Sequence, residues 1–168
     1  MTVYLCGFMG CGKTTVGKIL AAKLGSRYTD MDSYIVQCEK MSIPAIFRAK
    51  GEEYFRDRET AAIGELGDIG GVIACGGGAM LREKNALLAA EHGCVVLIDT
   101  PFDVCYERIR NDEGRPLVVS NTRASLETLY NERKVLYTAH SQYTADGTAS
   151  PAQIADEIAS FIKIKYNG

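Results

Sequence analysis

The stretch Gly7-Phe8-Met9-Gly10-Cys11-Gly12-Lys13-Thr14 constrains this chain more than any other part of it. It fits G-x-x-x-x-G-K-[ST] at every position, the pattern of a loop that wraps phosphate in backbone N–H groups. The apolar run Val3-Tyr4-Leu5-Cys6 precedes it, and Val16, Ile19, Leu20 and Leu24 recur at helical spacing behind it. Strand, glycine loop and helix in that order put the loop at a helix N-terminus, whose partial positive charge adds to the N–H donors. Glycine removes the Cβ atoms that would keep phosphate oxygens off the backbone. Lys13 is then placed to reach the β- and γ-phosphates of ATP, and Thr14 to ligate Mg2+.

The rest of the chain supports the fold that such a loop needs. Val72-Ile73-Ala74-Cys75 and Cys94-Val95-Val96-Leu97-Ile98 are continuous apolar runs, as expected of strands covered on both faces. Near the C-terminus, Ser150 is placed to cap, and Pro151 to start, a helix whose Ile154, Ile158, Phe161 and Ile162 face inward. This alternation predicts an α/β domain with a five-stranded parallel sheet of the P-loop NTPase type and helices on both faces. At roughly 150 residues per domain, 168 residues predict one domain spanning 1–168. Apolar residues at 46% and charged residues at 24% exclude disordered and fibrous classes. A net charge of −2 leaves no global field for nucleic acid. The opening Met1–Gly7 has no basic n-region, and no run approaches the ~18 apolar residues of a transmembrane helix. The expectation is a cytoplasmic monomer without membrane or nucleic-acid partners.

The 6 cysteines form no C-x-x-C pair and are expected to be reduced. Only Cys11, inside the phosphate loop, has a location that would make a thiol reactive; alkylating it is expected to block nucleotide binding, with no catalytic part for the thiol itself.

A phosphate loop alone does not choose among switch GTPases, motors and small-molecule kinases. The chain lacks the N-K-x-D motif that reads guanine, and its third strand runs into Gly76-Gly77-Gly78 rather than Asp-Glu. Asp30-Met31-Asp32 follows a short strand at Arg27-Tyr28-Thr29; on an extended segment the two carboxylates point the same way. One can serve a magnesium shell while the other hydrogen-bonds an acceptor hydroxyl. Gly76, Gly77 and Gly78 sit at the carboxyl edge of the sheet, where a substrate can lie against bare backbone. Arg56 lies on a helix between Glu52 and Glu59, and Arg133 lies on another; surface ion pairing is the default reading of such arginines. The polar stretch from about 111 to 123 is aperiodic and carries Arg115, which is placed to close over a transferring phosphate from a mobile lid. Arg108 and Arg110 end the helix before it, where a guanidinium can stack on adenine.

Taken in order, these pieces resemble the shikimate kinase family over nearly the whole chain. The resemblance rests on Gly12-Lys13-Thr14-Thr15, Asp30-x-Asp32, Gly51-Glu52 with Phe55-Arg56-x-x-Glu59, Gly76-Gly77-Gly78, Arg115-Pro116-Leu117 and Arg133-x-x-x-Tyr137. It implies transfer of the ATP γ-phosphate to the 3-hydroxyl of shikimate, with Mg2+ as cofactor. It also implies that Gly10, Cys11, Gly12, Lys13, Thr14, Thr15, Arg108 and Arg115 bind ATP, and that Lys13, Asp32 and Arg115 are catalytic, Asp32 as base. Shikimate would be held by Asp32, Arg56, Gly76, Gly77, Gly78 and Arg133, and the metal by Thr14 and, through water, Asp30. Val118 stands where the family lid has a second leucine, and the family spacing favours Arg108 over Arg110 as the adenine-stacking arginine. Other kinases of the fold fit less well: there is no Asp-Gly-Phe-Pro-Arg stretch as in adenylate kinases, and a gluconate kinase has no need of two carboxylate-gripping arginines. A regulatory module that kept the loop but lost catalysis would be expected to lack Lys13, Thr14 or Asp32.

Overall fold

In a computed structural model that describes residues 1–166, the chain forms a five-stranded, wholly parallel sheet with helices on both faces. The strands are β1 (Thr2–Cys6), β2 (Tyr28–Asp30), β3 (Gly71–Ala74), β4 (Gly93–Asp99) and β5 (Tyr143–Asp146), in the order β2-β3-β1-β4-β5. β1 is central: Leu5 pairs with Ala74 on one side and Val96 on the other, and all of its residues are buried. Two neighbours on β1 show why these runs do not alternate apolar with polar. The Tyr4 hydroxyl donates to the Ile63 carbonyl of α3 (Ile43–Ile69) at 2.8 Å, whereas Leu5 packs against Gly17 of α1 (Lys13–Lys23). Consecutive side chains point to opposite faces, and a helix waits on each.

The remaining helices are α2 (Met31–Glu39), α4 (Glu83–His92), α5 (Phe102–Ile109), α6 (Pro116–Ser120), α7 (Arg123–His140) and α8 (Pro151–Tyr166), with a 3-10 turn at Ala79–Leu81. Each begins where local chemistry allows. Asp30, Ser42 and Thr122 cap α2, α3 and α7 by accepting from Ser33, Ala45 and Ser125 N–H groups. Ser150 Oγ accepts from Gln153 N–H at the start of α8. Ile154, Ile158 and Ile162 of α8 are buried as expected, and Phe161, partly buried, stacks on Tyr143 of β5. α3 is broken at Gly51, where φ is +85°, so its first turns leave the line of the rest. Among the described residues, no helix is long and apolar enough to cross a membrane.

Two sequence expectations fail. The segment 111–123 is not wholly irregular: Pro116, with its φ already fixed, starts the short helix α6, which spans Pro116–Ser120. Asp30 and Asp32 do not share an extended segment. The chain turns into α2 directly after Asp30, whose carboxylate caps the helix, and Asp32 lies in the first turn.

Candidate active site

The carboxyl ends of β1, β2 and β3 open onto two cavities that share a wall. The first, of about 590 Å³, is floored by the phosphate loop and lined by Lys13, Thr14, Thr15, Asp30 and Arg108. The second, of about 480 Å³, is lined by Arg56, Arg133, the glycine triplet and an apolar wall of Ile43, Pro44, Phe47 and Phe55. Met9, Asp32, Gly76, Gly77 and Arg115 belong to both.

The loop has the backbone its pattern requires. Gly7, Gly10 and Gly12 take φ of +140°, +77° and +106°, a region costly for any residue with a Cβ. Lys13 is folded back onto the loop, its Nζ donating to the carbonyls of Gly7 at 2.7 Å and Phe8 at 3.3 Å. Thr14 and Thr15 are exposed toward the cavity. Cys11 is a correction to the sequence reading: it is 2% exposed, so its thiol is not an accessible reactive group. The exposed cysteine is Cys38.

Asp32 stands where the cavities meet. Its Oδ1 is buried and has no hydrogen-bond partner among the described residues. A Cβ on Gly76 would come within 2.5 Å of that oxygen, so only glycine fits beside it. Burial pushes the Asp32 carboxyl above the usual carboxylate range, and neighbouring Asp30 pushes the same way, against the pull of Lys13, Arg56 and Arg115. A buried acceptor left open costs stability unless something fills it.

Arg56 is held from two sides: Nη1 donates to Glu59 Oε2 at 2.7 Å and Nη2 to Glu52 Oε1 at 3.3 Å. The ion pairs expected from the sequence therefore exist, yet the same guanidinium faces the second cavity. Glu59 is 1% exposed, and burial raises its carboxyl although Arg56 opposes this. A Cβ on Gly78 would overlap Arg56 Nη1. Arg133, half-buried on α7, makes no ion pair among the described residues and leans over Gly77.

The two candidate adenine arginines separate. Arg108 Nη1 donates to the Gly10 carbonyl at 2.8 Å, on the rim of the first cavity. Arg110 pairs with Glu107 at 3.1 Å and lines neither cavity, bordering instead a separate depression with Asn111, Asp112, Glu113, Val118 and Val119. Arg115 is exposed and pairs with Asp112 at 2.8 Å, while its segment borders both cavities. Sequence reasoning missed Met9 and the Phe47 wall, and it met Phe55 only as part of a motif, not as cavity lining.

A family model described as shikimate kinase matches residues 9–163 of the chain. The chain belongs to the shikimate kinase family. The shikimate kinase of Persephonella marina is 41% identical over 162 residues, covering 96% of this chain and 98% of that protein. That of Geobacter sulfurreducens is 40% identical, covering 96% and 90%. The shikimate kinase of Acinetobacter baumannii, solved in complex with shikimate, superposes with a TM-score of 0.89 at 35% identity, covering 99% and 95%. The family's reaction is ATP-dependent phosphorylation of shikimate, and the chain is a kinase enzyme of the shikimate pathway.

Proposed function

We propose that the first cavity takes ATP, the second takes shikimate, and the γ-phosphate passes to the shikimate 3-hydroxyl at their junction. The observation that carries this reading is the unpartnered, buried Asp32 Oδ1 on the wall common to both cavities. A hydroxyl donor from the acceptor satisfies it, and a carboxyl raised by burial is better suited to accept a proton as general base. Lys13 exchanges its loop carbonyls for the β- and γ-phosphates. Gly10, Cys11, Gly12, Thr14 and Thr15 surround those phosphates, and Arg108 leaves Gly10 to stack on adenine. Arg110, paired away from the cavity, takes no part. Arg115 exchanges Asp112 for the transferring phosphoryl group as segment 111–123 closes like a lid. Arg56 and Arg133, with Gly76, Gly77 and Gly78, hold the shikimate carboxylate; two planar forks suit a carboxylate better than point charges do.

Thr14 and Asp30 fit Mg2+. Both offer hard oxygen donors, and no cluster of three or more His, Cys, Asp or Glu side chains among the described residues makes an all-protein metal cage. Asp30 spends Oδ1 on the Ser33 N–H, leaving Oδ2 to act through water. The ion, when bound, neutralises charge on the nucleotide phosphates.

The reading extends to a monomeric cytoplasmic protein of one domain, 1–168, that binds neither nucleic acid nor membrane; sedimentation at working concentration tests the monomer. The deciding experiment is ADP release from ATP with shikimate, gluconate or AMP as acceptor, with and without Mg2+. Turnover is expected with shikimate and Mg2+ together. Turnover with another acceptor alone would discard the substrate, and silence with all three despite tight ATP binding would favour a nucleotide-binding regulator.

A further inference from the structure

The glycine strip that lines the acceptor cavity has its peptide planes pinned one by one. The Gly76 carbonyl accepts from Ala79 N–H at 3.1 Å, and the Gly78 carbonyl from Leu81 N–H at 3.3 Å. The Gly77 carbonyl has no backbone donor among the described residues. It accepts instead from the Tyr137 hydroxyl at 2.5 Å, across 60 residues of sequence. Tyr137 is 3% exposed and follows Arg133 by one turn of α7. That helix therefore touches the strip twice, since Arg133 Nη1 lies 3.4 Å from where a Gly77 Cβ would be.

A trans peptide directs its C=O and the following N–H in opposite directions. Tying the Gly77 oxygen to Tyr137 turns the Gly78 N–H away from that side chain. The Gly78 N–H has no acceptor among the described residues, and Gly78 lines the acceptor cavity against Arg56. We propose that Tyr137 is a positioning residue for the acceptor: its hydroxyl locks the Gly77–Gly78 peptide so that the Gly78 N–H joins Arg56 and Arg133 as a donor to the acceptor carboxylate. The proposal rests on the carboxylate reading given above. Without the hydroxyl, two adjacent glycines let the peptide rotate at little steric cost, and a rotated peptide would offer its oxygen to an anion. Burial raises the Tyr137 hydroxyl above its ordinary range, so it remains a donor at neutral pH.

The test is Tyr137→Phe in the full chain, which removes one oxygen and keeps the ring. Losing one hydrogen bond's net contribution predicts a rise of about five- to tenfold in KM for shikimate, with kcat and KM for ATP within about twofold. An analogue carrying hydroxymethyl in place of the carboxylate is expected to show no difference between variant and wild type. A loss of equal size with both acceptors, or a parallel rise in KM for ATP, would assign Tyr137 a merely structural role and overturn the proposal. The amide resonances of Gly77 and Gly78 in the ligand-free protein give a second readout. They are expected to move in Tyr137→Phe, and unmoved resonances overturn the pinning itself. A wild-type chain silent toward shikimate would instead overturn the choice of substrate, which separates the two failures.

Discussion

The phosphate loop and the acceptor cavity meet at Asp32, yet they are assembled differently. Gly7 to Thr14 is one unbroken run whose shape comes from three glycines at positive φ and whose donors are mostly backbone. The acceptor cavity draws Asp32 from α2, Arg56 from α3, Gly76–Gly78 from the turn after β3 and Arg133 from α7. Its charged groups act on one another: Glu52 and Glu59 hold Arg56, and Arg56 and Arg115 pull on the Asp32 carboxyl. Local geometry makes the first half, and tertiary packing the second. A side chain removed from the loop leaves most of the cradle's donors in place, whereas one removed from the acceptor half unbalances a charge network.

The sharpest way to break the comparison is Lys13→Met. Lys13 is the loop's one charged side chain, so kcat/KM is expected to fall by at least about a thousandfold, with the melting temperature nearly unchanged. A large loss of stability would mean that the Lys13 bonds to Gly7 and Phe8 hold the loop's shape, against the backbone account. Asp32→Asn comes next, with a loss in kcat of about a hundredfold to ten-thousandfold. ATP binding, followed by titration calorimetry, should be retained. A near-normal rate would remove both the base and the orienting role. Arg133→Ala is expected to raise KM for shikimate by about ten- to a hundredfold, the worth of a charge-assisted hydrogen bond, and to move kcat much less. An unchanged KM would take Arg133 out of the site.

The same contrast explains how far the sequence could be read. The phosphate loop was legible because pattern, strand and helix are contiguous, and the order of six separate motifs carried the family. The Asp30-x-Asp32 geometry was misread because Asp-x-Asp before an apolar-periodic run is also a helix start, and the cap formed by Asp30 decides it. Pro116 gave a comparable signal for α6 inside the stretch read as a loop. Phe47 and Pro44 could not be assigned to the cavity, because their position follows from where α3 bends at Gly51 and no local pattern encodes that. The burial of Cys11 likewise depends on what packs over the loop: Thr100, far along the chain, donates its hydroxyl to the Cys11 carbonyl at 3.0 Å.

The smallest expected effect tests whether the acceptor half carries an electrostatic cost in the folded protein. Burial first, then Asp30, raises the Asp32 carboxyl. In the unfolded chain an aspartate titrates near about 3.9. Between that pH and the raised folded value the native state binds more protons than the unfolded one, so stability falls as pH rises through the window and stays lower above it. A neutral amide at this position would carry no such burden. Asp32→Asn is therefore expected to melt a few degrees above wild type at about pH 8, the gap closing as pH falls toward about 4. Glu59, raised by burial and in part by Asp32, relaxes when Asp32 loses its charge and widens the gap in the same direction. A pH-independent difference for Asp32→Asn would mean that Lys13, Arg56 and Arg115 fully offset the burial of Asp32, and the two halves would then differ in assembly but not in electrostatic strain.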